Sequence, residues 1–118
     1  PLSLKSAIKN YDKINPKKSN KYLLIGDMLE LGVHSKKLHQ SIAPVINQTK
    51  IDKVFVKGKL ASIIFENISK AKKGRILLNK SQIIELIRKD LNNNDYLMIK
   101  ASLATGFNDI VKDLKGLH

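Results

Sequence analysis

Apolar residues at Leu4, Ala7, Ile8 and Tyr11 fall at the i, i+3, i+4, i+7 spacing of one helical face. That spacing predicts an amphipathic helix from Leu2 to Ile14, with Pro1 tolerated at its start. The polar run Asn15-Pro16-Lys17-Lys18-Ser19-Asn20 breaks it. Tyr22-Leu23-Leu24-Ile25 is a short continuous apolar run closed by Gly26-Asp27, the pattern of a strand buried on both faces. A loop through Gly32 leads to a second helix over Ser35 to Asn47, with Leu38, Ile42, Val45 and Ile46 on one side. Pro44 lies inside it and is expected to remove one backbone bond and to kink or shorten the helix.

The alternation then repeats. Val54-Phe55-Val56 is a second strand closed by Lys57-Gly58, and Leu60, Ile63, Ile64 and Ile68 give the next helix its buried side. Arg75-Ile76-Leu77-Leu78 reads as a third strand, followed by a helix capped at Ser81 and carrying Ile83, Ile84, Ile87 and Leu91. Asn92-Asn93-Asn94 ends that helix, Tyr96-Leu97-Met98-Ile99 is a fourth strand, and Phe107, Ile110, Val111 and Leu114 stripe a last helix. Short apolar strands separated by amphipathic helices form successive βαβ units, whose crossovers are right-handed and whose helices cover the sheet. The predicted architecture is α/β: a Rossmann-like three-layer domain, mostly parallel, with helices on both faces.

Length and composition sharpen this picture without changing it. At 118 residues, residues 1–118 are expected to form one domain with a sizeable core. No apolar run approaches the roughly 20 residues of a membrane span, and the opening residues carry no signal-peptide pattern. The absence of cysteine excludes disulfides, thiolate metal sites and a cysteine nucleophile. Together these point to an intracellular, cytoplasmic setting. The formal charge of +12 invites a nucleic-acid reading. Arg75 and Arg88 are the only arginines, however, and the lysines are scattered, with pairs as their longest clusters. Base readout and bidentate phosphate recognition draw on arginine's planar fork, and there is no aromatic platform among the lysines. The pattern argues for a solvated lysine surface over a nucleic-acid interface.

In an open parallel sheet, ligands collect at the carboxyl ends of the strands. Two of those ends stand out. Gly26-Asp27-Met28-Leu29-Glu30-Leu31-Gly32 sets two carboxylates and three large apolar side chains between glycines. Either Asp27 and Glu30 bind a cation or ammonium group or orient a partner, or the segment is a tight turn with Met28, Leu29 and Leu31 tucked under the sheet rim. Lys100-Ala101-Ser102-Leu103-Ala104-Thr105-Gly106 places a cation and two hydroxyls where a strand feeds a helix. That arrangement suits an anion, since free N–H groups and the helix dipole point there. The competing reading is that Thr105 simply caps the helix. His34 and His39 are five residues apart, about 140° around a helix, and so make no two-histidine metal face. Each reads as a surface or capping residue. The chain has no G-x-x-x-x-G-K-[ST] and no G-x-G-x-x-G, so it carries no triphosphate cradle of its own.

Leu24-Ile25-Gly26-Asp27-Met28-Leu29-Glu30-Leu31-Gly32, followed by Ser35 and His39, resembles the hallmark segment of one branch of the Mur ligases. Pro1 to Ala7 is similar to the end of the Asn-Ala-Asn-Pro stretch that opens their C-terminal domain. Ile99-Lys100-Ala101-Ser102, with Gly106 and the helix to Leu114, is similar to their Lys-Gly-Ser segment and final helix. The resemblance implies a C-terminal Rossmann-like domain that works with a UDP-sugar-binding N-terminal domain and a central ATPase domain of the same polypeptide. It implies ATP and Mg2+ as cofactors of the full-length enzyme, with none expected on this piece alone. A peptide carboxylate is activated as an acyl phosphate. The amine of the incoming amino acid then attacks it.

In the branch resembled, the incoming group is D-alanyl-D-alanine and the acceptor is UDP-N-acetylmuramoyl-tripeptide, in peptidoglycan precursor synthesis. Carried over by position, Gly26, Asp27, Met28, Leu29, Glu30 and Gly32, with Lys100, Ser102 and Thr105, would face substrate or nucleotide. Asp27 and Glu30 would be the polar groups of the first loop, and Lys100 and Ser102 would contact the dipeptide carboxylate or phosphoryl group. No catalytic residue and no metal ligand is expected in this piece. Ala101 departs from the family's usual glycine, and the chain starts just after the aspartate and asparagines that reach the nucleotide. It is therefore expected to fold alone, to be inactive as a ligase, and to bind ATP and dipeptide weakly. The alternative is a stand-alone basic α/β module binding RNA or another polyanion, whose affinity would fall steeply with salt.

Overall fold

A computed structural model of the protein describes residues 2–14, 20–28, 34–92 and 94–101. The elements run α1 (Leu2–Asp12), β1 (Lys21–Gly26), α2 (Ser35–Asn47), β2 (Lys53–Lys57), α3 (Lys59–Asn67), β3 (Lys73–Ile76), α4 (Lys80–Glu85) and β4 (Tyr96–Lys100). A short 3-10 turn over Lys70–Lys72 leads into β3, and α4 runs on into a π-helical turn over Leu86–Asp90. The last predicted helix, Phe107 to Leu114, lies outside the described residues.

The four strands form one sheet in the order β3-β2-β1-β4, parallel at every pairing. The chain enters the sheet at β1, steps outward to β2 and β3, then returns to the far side of β1. Right-handed crossovers in opposite directions place their helices on opposite faces. Alternation along the strands sorts the core accordingly. Leu23, Ile25, Val54 and Val56 pack with α1, α2 and α3 on one face. Leu24 and Phe55 pack with Leu77, Ile83 and Leu86 on the other. The predicted three layers are present.

Three local expectations are corrected. Pro44 does not shorten α2, which runs to Asn47. Pro44 and Gln40, the residue whose carbonyl loses its partner, are both exposed, so the carbonyl lies on the solvated side of the helix. The third strand begins at Lys73, two residues before the predicted start at Arg75, and ends at Ile76. As an edge strand with a register shift against β2 between Val54 and Val56, it follows the backbone pairing, and Leu78 is left 74% exposed. Ser81 is not the cap of α4. Asn79 is, its side chain accepting from the Gln82 N–H at 2.9 Å, while the Gln82 side-chain oxygen accepts from the Leu78 N–H at 2.6 Å. The pair is a variant of the reciprocal capping box.

The amino ends of the strands are tied by a polar network. Lys21 is 5% exposed and donates to the Asp12 carbonyl at 2.7 Å. The Asp12 carboxylate accepts from the Lys50 N–H at 2.7 Å, and Asp52 accepts from the Lys21 N–H at 2.8 Å. Lys72 donates to the carbonyls of Thr49 and Ile51, each at 2.7 Å. Burial makes the Lys72 proton easier to lose than usual. The Tyr11 hydroxyl donates to the Tyr22 carbonyl at 2.8 Å, and burial pushes its pKa up from 10.0 to about 12.

Tyr11 thus holds its proton in the fold at pH values where the unfolded chain has lost it. Its contribution to stability is complete below pH 10.0 and disappears as the pH rises to about 12. Lys72 acts in the opposite sense, since its charged form is the one that burial disfavours. Tyr11→Phe is therefore expected to remove the loss of stability between pH 10.0 and about 12 that the unsubstituted chain shows. Urea midpoints measured across that interval check this: the two curves converge if Tyr11 is responsible and stay parallel if it is not.

Candidate functional site

The sheet order makes the gap between β1 and β4 the topological switch point, where crossovers diverge to opposite faces and leave a crevice at the carboxyl rim. In register, Ile25 stands opposite Lys100 of β4, and Gly26 stands opposite Lys57 of β2. The exit of β1 is therefore flanked by a lysine-terminated strand on each side. The acidic and cationic segments singled out from the sequence leave adjacent strands of one rim. Lys100 is half-buried, and Ala101 beside it packs against the Leu24–Phe55 core.

Of the proposed site residues, Gly26, Asp27, Met28 and Lys100 are described. Leu29, Glu30, Gly32, Ser102 and Thr105 lie outside the described residues. Asp27 serves the fold, since its carboxylate accepts from the Ala61 N–H at 2.7 Å. Ala61 is the third residue of α3, where a helix needs a side-chain cap, and the residue in the cap position is Gly58, which has none. Asp27 supplies the cap from another strand end and sets its negative charge against the positive pole of the α3 dipole. Gly58 permits this twice over. Its φ of +116° is a conformation that side chains rarely adopt, and an added Cβ would collide with the Asp27 carboxylate. Within the Gly26–Gly32 segment, Asp27 is thus engaged by the fold, and Met28 is partly buried against the core.

The histidines divide. His34 is exposed at the start of α2 and makes no side-chain cap. His39 is neither a surface nor a helix-capping residue: it is 1% exposed, with Nδ1 2.6 Å from the Ser35 carbonyl and Nε2 3.2 Å from the Met28 N–H. Five-residue spacing removes a shared metal face but does not reveal burial, which depends on how α2 meets the loop. Along the sequence, Lys57 and Gly58 mark no more than one of four strand ends. The signal for them is a glycine after a lysine at the last position of an apolar run. An open hollow of about 340 Å³ beside Gly58 is lined by Lys57, Lys59, Ser62, Ile76, Leu77 and Leu78. Among the described residues no group of three or more His, Asp or Glu is placed to hold a metal ion.

The cap makes a quantitative prediction. Asp27→Asn keeps an acceptor for the Ala61 N–H and is expected to cost about 0.3–1 kcal/mol, whereas Asp27→Ala is expected to cost about 1–2 kcal/mol. Gly58→Ala is expected to cost about 1–3 kcal/mol for its backbone conformation alone. Because the new methyl also meets the Asp27 carboxylate, the Asp27→Ala/Gly58→Ala double variant should lose less than the two single losses added. Urea unfolding of the unsubstituted chain, the two alanine variants and the double variant checks this, and strict additivity would refute contact between the two residues.

Comparison with known proteins places this chain in a family. Residues 1–103 match the family model described as "Mur ligase, glutamate ligase domain". The UDP-N-acetylmuramoyl-tripeptide–D-alanyl-D-alanine ligase of Bacillus subtilis (strain 168) is 34% identical over 117 residues, 97% of this chain and 25% of the relative. The ligase of the same name from Rickettsia prowazekii is 27% identical over 94% of this chain and 24% of its own length. Among solved structures, the MurF ligase of Thermotoga maritima in complex with ADP shares the fold with a TM-score of 0.74 at 22% identity, over 95% of this chain and 25% of that one. MurF from Acinetobacter baumannii does so with a TM-score of 0.72 at 22% identity, over 97% of this chain and 25% of that one. The chain thus spans about a quarter of the length of the relatives it matches. With the family match running through all four strands and the same fold in solved relatives, the chain belongs to the Mur ligase, glutamate ligase domain family.

Proposed function

We propose that residues 1–118 are one domain, the C-terminal closing domain of an ATP-dependent ligase that joins D-alanyl-D-alanine to UDP-N-acetylmuramoyl-tripeptide in peptidoglycan precursor synthesis. The observation that carries this reading is the pairing of the Gly26–Asp27–Met28 exit with Lys100 across the β1–β4 switch point, in a chain of this family whose relatives bear that name. The chain covers about a quarter of those relatives, so the UDP-sugar-binding and ATPase portions lie in other parts of the polypeptide, which is taken to work in the cytoplasm. No helix among the described residues is long and apolar enough to cross a membrane.

In this reading the domain supplies one wall of the reaction cleft. ATP supplies the activation of the tripeptide carboxylate, and the dipeptide amine is the nucleophile that the closing domain brings to it. The charge of Lys100 suits the carboxylate of the dipeptide or a phosphoryl oxygen. Ser102 and Thr105, with Glu30 on the facing loop, complete the proposed set. Among the described residues the donors do not fit magnesium: Asp27 Oδ1 is engaged by the Ala61 N–H, and no acidic cluster accompanies it. The metal and the phosphate cradle are assigned to the other domains, which accounts for the missing phosphate loop. The polyanion-binding alternative has no observation in its favour beyond net charge.

In the full-length protein, Lys100→Ala is expected to lower kcat/KM for D-alanyl-D-alanine by about 100-fold, the scale for removing a donor aimed at developing or transferred charge. The 118-residue chain by itself is expected to form no peptide bond and to give no micromolar ATP isotherm by titration calorimetry. Undiminished ligation by the Lys100→Ala enzyme, or micromolar ATP binding by the isolated chain, would contradict the assignment.

A further inference from the structure

His39, 1% exposed, is a buried polar side chain near the candidate site that the ligase reading leaves without a role. It lies in the second turn of α2, and both ring nitrogens are engaged. A carbonyl only accepts, so Nδ1 must donate to the Ser35 oxygen at 2.6 Å. A backbone N–H only donates, so Nε2 must accept from Met28 at 3.2 Å. The neutral Nδ1–H tautomer satisfies both at once. The first of these bonds stays within α2. The second leaves the helix and fixes the backbone immediately beyond Asp27.

Asp27 and Met28 are consecutive, and they are held from different helices. The Asp27 side chain is fastened to α3 through the Ala61 N–H, and the Met28 backbone is fastened to α2 through His39. Two helices packed side by side on one face thus grip the chain as it leaves β1. We propose that His39 is a positioning residue: by accepting from Met28 it fixes the backbone at the exit of β1, next to Asp27 and across the switch point from Lys100, and so holds that part of the rim in place for the incoming amine. The activity consequence rests on the ligase reading. The tether itself does not.

Two amide side chains separate the two bonds of His39. In His39→Asn the amide nitrogen falls near Nδ1 and keeps the bond to Ser35, leaving Met28 without an acceptor. In His39→Gln the amide oxygen falls near Nε2 and keeps the acceptor for Met28. Both lose the ring, so a purely structural histidine would be damaged similarly by either. In the full-length ligase, His39→Asn is expected to lower kcat/KM for D-alanyl-D-alanine by about 10- to 100-fold, with His39→Gln within about threefold of the unsubstituted enzyme. Equal losses that track thermal stability, or no loss in either, would overturn the proposal. Hydrogen exchange of the Met28 amide in the unsubstituted protein decides the tether even if a variant fails to fold. Protection well above that of an open loop amide is expected, and free exchange would overturn it. If the unsubstituted full-length protein does not ligate D-alanyl-D-alanine, the ligase reading fails, while the Met28 exchange still decides the role of His39.

Discussion

Strand β1 is hydrogen-bonded to a parallel partner along both edges, and the rest of the structure is arranged around that constraint. A strand in this position must be apolar on both faces, as Leu23, Leu24 and Ile25 are. Unlike β2, it also lies where crossovers of one hand run in opposite directions, which splits the helices between the faces and opens the rim where β1 ends. Asp27 follows that end directly, and Lys100 ends the strand beside it. In the order β3-β2-β1-β4 this is the place on the rim where the crossovers diverge, which makes it the candidate site.

The same rim shows how a motif divides its work. Read along the chain, Asp27 is a carboxylate that could hold a cation or ammonium group or orient a partner; in the fold it caps a helix that begins more than thirty residues later. Gly58 completes the arrangement by having no side chain of its own. His39 fastens the next residue from the neighbouring helix. One charged residue, one glycine and one histidine, far apart in sequence, thereby turn a strand exit into a fixed one. Lys100, half-buried at the end of the neighbouring strand, stands beside that exit.

The element order, the parallel sheet and most of the core were legible in the sequence because the apolar runs and helical stripes are local signals. β3 is displaced from its apolar run because Ile76, Leu77 and Leu78 are contiguous, whereas edge pairing obeys backbone register and leaves two of them outward. The α4 cap moves from Ser81 to Asn79 because both residue types cap helices, and only the reciprocal bond with Gln82 decides between them. Asp27 and Lys100 could be singled out as strand-end residues. That one of them is spent on α3, and that His39 is buried, depends on which helix the fold brings to which loop. That is long-range information, and no local spacing contains it.

A crystal structure of the full-length protein with nucleotide and D-alanyl-D-alanine bound would test the switch-point site most directly. The dipeptide is expected within hydrogen-bonding reach of the β1 and β4 exits, with Lys100 turned toward a carboxylate or phosphoryl oxygen and Asp27 still on the Ala61 N–H. A dipeptide seated instead at the amino ends of the strands, or in the hollow beyond Gly58 with Lys100 facing solvent, would contradict that assignment.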